Sequence, residues 1–376
     1  MRMTPCRTFV RPASIRSRRA GFTLVEMMVA TAVLLAIMGI CFTIIEGTNS
    51  IWKNTTGKIE GFRNARAAFD AMTRTLSQAT LNTYYDYVDS SGNFTSQPGS
   101  GFSGVPVAYG RRSDLQIISG QGAAMLPGIT PYAALTHAIF FQAPLGQVTS
   151  ANSSVSSSSA MGGLNNLLNT CGFYVAYGPD PGVPSFLSAA YPTRNRYRLM
   201  QFTQPSDLLA IYGNQGTSKW FLNPIVADLA TSSPAENAVL AENIIALVIL
   251  PKLPSNDEAA LNLSSIPLGT ALAPSYSYDS TQKGQATVNA YLNSLHQLPP
   301  VIEVTMVAID EASALKMGNT TTAPNTALGL TSSLFTQAKN LNADLASLEN
   351  SLAAGHVNFR VFQTEVAIRG SKWTAN

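Results

Sequence analysis

Arg18-Arg19-Ala20-Gly21-Phe22-Thr23-Leu24-Val25-Glu26 opens an apolar run that continues to Ile45, and this stretch decides how the 376-residue chain is organised. Six arginines (Arg2, Arg7, Arg11, Arg16, Arg18 and Arg19) and no acidic residue precede Gly21. The 24 residues from Phe22 to Ile45 then carry one charged side chain, Glu26. A helix of that length spans roughly 36 Å at 1.5 Å per residue, enough to cross a hydrocarbon core of about 30 Å with some tilt. Arginine-rich flanks stay cytoplasmic, so the C-terminal bulk is expected across the membrane.

A secretory signal also pairs a basic end with an apolar core, but its core is about 7 to 15 residues long and ends in small residues at a cleavage site. Here the run is longer, and the Gly21-Phe22 junction comes before it. A carboxylate near the membrane centre costs on the order of 2.5 to 3.5 kcal/mol on insertion scales. Glu26 therefore requires a partner or a role, unless the run is a signal anchor carrying a chance glutamate.

At Gly21, Phe22, Thr23, Leu24 and Glu26 the chain resembles the type IV prepilins and pseudopilins: a basic leader, Gly, an N-methylated Phe, then Thr-Leu-x-Glu opening a long hydrophobic helix. The resemblance implies that a prepilin peptidase cuts after Gly21 and methylates the new amine of Phe22. It also implies that Glu26 faces the positively charged amino terminus of a neighbouring subunit in a filament. The other implied partners are pilin-like subunits, an assembly ATPase and an inner-membrane platform. The expected location is a bacterial inner membrane, crossed once, with the N-terminus cytoplasmic and the head periplasmic.

Removing residues 1–21 takes away six of the 24 basic residues and none of the 21 acidic ones, leaving a formal charge of −3. The basic character belongs to the leader, so nucleic-acid binding by a basic surface is not expected. Charged residues make up only 12% of the chain, against about 25% in typical domains, in keeping with an extracytoplasmic domain of long polar loops. Cys6 lies in the leader and Cys41 in the membrane run, which leaves Cys171 alone in the soluble part and no disulfide framework.

Beyond Glu46–Ser50, which contains Gly47 as a soft spot, the helical period resumes with Ile59, Phe62, Ala65, Phe69, Met72, Leu76 and Ala79 on one face. That stripe is expected to carry the head. Arg66–Asp70 and Asp70–Arg74 are spaced for pairs worth roughly 0.2 to 0.5 kcal/mol each, and Gly39 weakens the membrane part by about 1 kcal/mol relative to Ala. The organisation read from this is a leader at 1–21, a membrane half of the helix at 22–45, an amphipathic half at 46–81 and a β-rich head at 82–376.

Within the head, β-rich runs are expected at Tyr84–Val88, Val105–Tyr109, Leu115–Ser119, Leu135–Gln142, Phe173–Tyr177, Tyr197–Phe202, Leu208–Tyr212, Ile244–Leu250, Val301–Ile309 and Val357–Ile368. Long spacings without a strand-helix-strand rhythm give an α+β class with antiparallel sheet. Leu341, Leu345, Leu348 and Leu352 mark a second helix between Thr336 and Leu352. The Ser-rich Thr149–Ala160 and Thr-rich Gly318–Ser333 stretches read as exposed loops.

Leu298-Pro299-Pro300-Val301-Ile302-Glu303 and Glu242-Asn243-Ile244 are similar to segments of J-type minor pseudopilins. With Tyr197-Arg198-Leu199-Met200 and the end Phe359-Arg360-Val361-Phe362 to Ser371-Lys372-Trp373, the chain resembles the Verru_Chthon cassette protein C group of prepilin-like proteins from the Verrucomicrobia. Type II secretion and type IV pilus-like filaments both fit, and a mature chain of 355 residues favours a minor or tip-proximal subunit. His137, His296 and His356 lack ligand or triad spacing, and no nucleophile elbow, P-loop or dinucleotide fingerprint occurs, so no catalytic residues are expected. Asp86, Asp89 and Asn93 around Gly92 form a weak calcium candidate that departs from the EF-hand spacing. A competing expectation makes the chain a membrane-anchored binding or hydrolytic protein that uses the prepilin route only for export.

Overall fold

The computed structural model describes residues 21, 23–96, 101–148, 166–180, 194–213, 219–231, 234–261, 266–282, 292–317, 323–324, 330 and 334–374. The leader up to residue 20, Phe22, the Ser-rich loop and most of the Thr-rich loop lie outside them. The chain divides into two compact units, Met1–Thr55 and Thr56–Asn376. Helix α1 runs from Leu24 to Leu76 and contributes to both.

In the first unit α1 carries no charge from Met27 to Ile45 and is apolar around its circumference there. Every residue from Leu24 to Asn49 is exposed, and this segment is long and apolar enough to cross a membrane. A Cβ built on Gly39 or Gly47 meets nothing within 4 Å, so packing inside this chain does not require glycine at either place.

In the second unit the helix changes character. Ala65, Ala68, Phe69, Met72 and Leu76 are buried in one core with Ala79 beyond the helix end, and Phe62 packs at its margin. Ile59, expected on the same stripe, is 63% exposed, and the helix stops at Leu76, short of Leu81. Of the two expected ion pairs, Arg66–Asp70 forms at 4.0 Å.

The strands are β1 (Tyr84–Val88), β2 (Ala108–Arg112), β3 (Ile118–Gln121), β4 (Ala133–Pro144), β5 (Leu168–Gly178), β6 (Arg196–Gln204), β7 (Asn237–Glu242), β8 (Ile244–Lys252), β9 (Tyr278–Asp279), β10 (Val301–Ile309) and β11 (Phe359–Ala367). After α1, the helices are α2 (Gly122–Met125), α3 (Ala210–Gly213), α4 (Leu222–Leu229), α5 (Ser255–Ala260), α6 (Glu311–Lys316) and α7 (Leu341–Ala354). All described pairings are antiparallel. They form a six-stranded sheet β7-β6-β5-β4-β3-β9, a three-stranded sheet β11-β10-β8 and the hairpin β1-β2.

Strand β8 is buried on both faces and feeds two cores. Leu247 and Ile249 join the core containing the α1 stripe, while Val248 and Leu250 join a second core closed by Leu341, Leu348 and Leu352 of α7. Strand β10 turns Ile302, Val304, Met306 and Ala308 toward the first core, the two-residue period of a strand. Phe69 of α1 meets Phe362 of β11 with ring centroids 5.9 Å apart. In the large sheet Phe140 lies opposite Gly172 and stacks on Phe221 at 3.8 Å. A Cβ on Gly172 would come within 2.1 Å of the Phe140 ring, so only glycine admits it.

Three expectations need correction. Leu208–Tyr212 is not a strand, since Ala210–Gly213 is a helical turn. Within Val105–Tyr109 the strand begins only at Ala108, and within Leu115–Ser119 only at Ile118.

Candidate functional site at the start of the helix

Thr23 precedes the first helical residue, Leu24, and its carbonyl accepts the first intrahelical bond from the Met27 N–H at 3.2 Å. Its hydroxyl oxygen accepts from the Glu26 N–H at 3.3 Å. The Glu26 Oε2 accepts in return from the Thr23 N–H and the Thr23 hydroxyl, both at 3.0 Å. Thr-x-x-Glu is thus a capping box, in which cap and carboxylate satisfy each other's orphan donors. The sequence reading missed this second role of Glu26, although Thr-x-x-Glu ahead of an apolar run is its signal. Gly21 is exposed, is not in the left-handed region and would tolerate a Cβ with nothing within 4 Å. Nothing in the fold demands glycine there, so any requirement for it comes from what handles the chain. Phe22, which the resemblance marks for methylation, is outside the described residues.

The weak calcium candidate has the wrong polarity. Asp89 is buried, and its oxygens accept from the N–H groups of Ser91 at 2.9 Å, Asn93 at 2.8 Å and Ser103 at 3.0 Å, and from the Asn93 side-chain amide at 3.3 Å. The Asn93 bond, set against desolvation, holds the carboxyl below its ordinary range. Asp86 accepts from the Ser96 N–H at 2.9 Å and hydroxyl at 2.7 Å, and from the Tyr87 N–H at 2.8 Å. N–H donors occupy the lone pairs of Asp89, and N–H and O–H donors occupy three of the four on Asp86, where a cation would need them. Asn93, Asp89 and Asp86 fold the loop that leaves β1. Among the described residues no cluster of three or more His, Cys, Asp or Glu side chains could hold a metal.

His137 joins elements. Its Nδ1 accepts from the Ile249 N–H of β8 at 3.0 Å, so Nε2 carries the proton and donates to the Phe335 carbonyl at 2.9 Å. Burial pushes its pKa down to about 4, against the Phe335 bond. His296 sits edge-on to Phe94 at 5.8 Å and is also pushed down to about 4, by burial and then by Arg112. The Cys171 thiol is fully buried and pushed up to about 12 by desolvation, which makes it a poor nucleophile.

Residues 16–46 match the prokaryotic N-terminal methylation motif. No curated protein and no solved structure matches the chain. The N-terminus thus carries a prepilin-type methylation motif, which implies processing by a prepilin peptidase and export along the pilin route. A long N-terminal apolar helix followed by antiparallel sheets is an α+β, pilin-like architecture. Motif and helix together are consistent with anchoring in the inner membrane and an extracytoplasmic head.

Proposed function

We propose that the chain is a minor pilin-like structural subunit, stored in the inner membrane and drawn through α1 into a type II secretion or type IV pilus-like filament. Cleavage falls after Gly21, the new amine of Phe22 is methylated, and Glu26 pairs with the amino terminus of an adjoining subunit. The observation that carries this reading is the methylation motif at residues 16–46 placed directly on a helix whose apolar residues are uncovered from Leu24 to Asn49.

The capping box adds a step to assembly. In a lone helix the Glu26 carboxylate is engaged by Thr23, so a neighbour's amine competes with an intrachain bond and not with bare lipid alone. The J-like position near the tip is supported by the Glu242-Asn243-Ile244 and Leu298-Pro299-Pro300 segments, and no catalytic role is assigned. Mass spectrometry of the mature N-terminus, combined with crosslinking in membranes, tests the proposal. A methylated Phe22 with crosslinks to pilin-like proteins is expected, and an N-terminus well beyond Ile45 overturns it.

A further inference from the structure

Glu26 and Glu46 bracket the 19 residues Met27–Ile45, which carry no charge. Along α1 the two carboxylates lie about 30 Å apart at 1.5 Å per residue, the thickness of a hydrocarbon core of about 30 Å. Trp52 follows Glu46 by about 9 Å along the same helix and is 71% exposed, beside Ile51 at 69%. Helical side chains lean toward the helix N-terminus. The indole therefore covers the turn before its own Cα and falls back into a headgroup layer about 5 to 8 Å deep. An indole has an apolar body and one N–H donor, which suits the boundary between lipid and water.

We propose that Trp52 is a lipid-interface anchor at the extracytoplasmic end of the membrane helix. It holds the unassembled chain at a register in which Glu26 and Glu46 each lie at a hydrocarbon boundary rather than inside the core. The occupant of the Trp52 face is the lipid headgroup layer, because that face continues the uncovered surface of Leu24–Asn49. The inference rests on the membrane-spanning reading and gives Glu26 an inexpensive resting place before assembly.

The test uses the mature chain in vesicles of phosphatidylethanolamine and phosphatidylglycerol containing lipids brominated near the headgroup or near the chain ends. Trp220 is buried and Trp373 half-buried in the head, so the emission lost in Trp52→Phe reports this position without disturbing the core. Shallow bromines are expected to quench more than deep ones, and the quenched part should vanish in Trp52→Phe. Labelling of Cys41 by a membrane-impermeant maleimide, judged against Cys41→Ala, separates two failures. A reactive Cys41 overturns the spanning reading itself. A protected Cys41 with unquenched or most deeply quenched Trp52 overturns the interfacial register alone, and the unquenched case leaves that face to a protein contact.

Discussion

Glu26→Gln keeps a side chain able to close the capping box with Thr23 while removing the charge, whereas Glu26→Ala removes both. In the proposed filament the two substitutions should abolish incorporation alike, because the neighbour's amine needs a carboxylate. They should differ in the lone chain. Glu26→Ala loses the carboxylate's two bonds to Thr23, while the Thr23 hydroxyl still accepts from the N–H of residue 26, so amide exchange in the first turn of the detergent-solubilised protein should rise in Glu26→Ala and stay near wild type in Glu26→Gln. Full incorporation of Glu26→Gln would show that the cap, and not the charge, is what assembly reads. His137 provides a second residue-scale prediction. Burial lowers its folded pKa to about 4 from an ordinary 6.5, so between these values the unfolded chain binds the extra proton. Stability is therefore present above pH 6.5 and lost as pH falls toward 4, by about 3 kcal/mol for a shift of that size. Melting curves across that window should show a slope that flattens in His137→Gln. His296 acts in the same direction.

At the scale of elements, the second half of α1 is held by a few large contacts. Phe69 is buried and faces Phe362 of β11, so Phe69→Ala should cost about 3 to 5 kcal/mol in denaturant unfolding. Ile59→Ala lies on the same helix at an exposed position and should stay within about 0.5 kcal/mol; a cost equal to that of Phe69→Ala would mean that the stripe extends further down the helix. These residues also show where the sequence was legible. Val301–Ile309 was read with both ends right, because the prolines before it and a β-branched, apolar run leave little choice, and the cores of β4, β5, β6 and β8 were read for the same reason. Strand β7, Asn-Ala-Val-Leu-Ala-Glu, went unread because four of its six residues are weak strand formers and its place is given by pairing with β6. Helix α4 was missed although Pro224 stands in its first turn, where proline is tolerated. Leu208–Tyr212 had strand-like residues, but the Gln204 side chain accepts from the Ala210 N–H at 2.9 Å and starts a helical turn. At the candidate site Gly21 and Glu26 were expected from the motif, while the cap at Thr23 was missed although Thr-x-x-Glu carries its signal.

At the scale of the whole head, a turn of one residue passes the chain from one of the two larger sheets to the other. β7 belongs to the six-stranded sheet and β8 to the three-stranded sheet, and only Asn243 lies between them. It turns the chain with φ +61°, a left-handed conformation that asparagine accepts more readily than most residues. Its N–H donates to the Tyr197 carbonyl at 2.7 Å and its carbonyl accepts from the Ile309 N–H at 2.9 Å, so it is bonded to β6 and β10 at once. Its side-chain amide donates to Glu311 Oε2 at 2.7 Å, and Arg196 reaches the same oxygen at 2.8 Å. Conformation and side-chain bonding can be separated. Asn243→Gly keeps the backbone relaxed and loses the amide, while Asn243→Ala loses the amide and adds left-handed strain of about 1 to 2 kcal/mol. The alanine variant should therefore be the less stable of the two by roughly that amount in urea unfolding, with unchanged denaturant dependence if the head still unfolds as one body. Equal stabilities would mean that Glu311 and Arg196, rather than the turn itself, hold the sheets together. A change in denaturant dependence for the alanine variant alone would show that the two sheets had begun to unfold apart, with Asn243 as the link whose geometry had kept them cooperative.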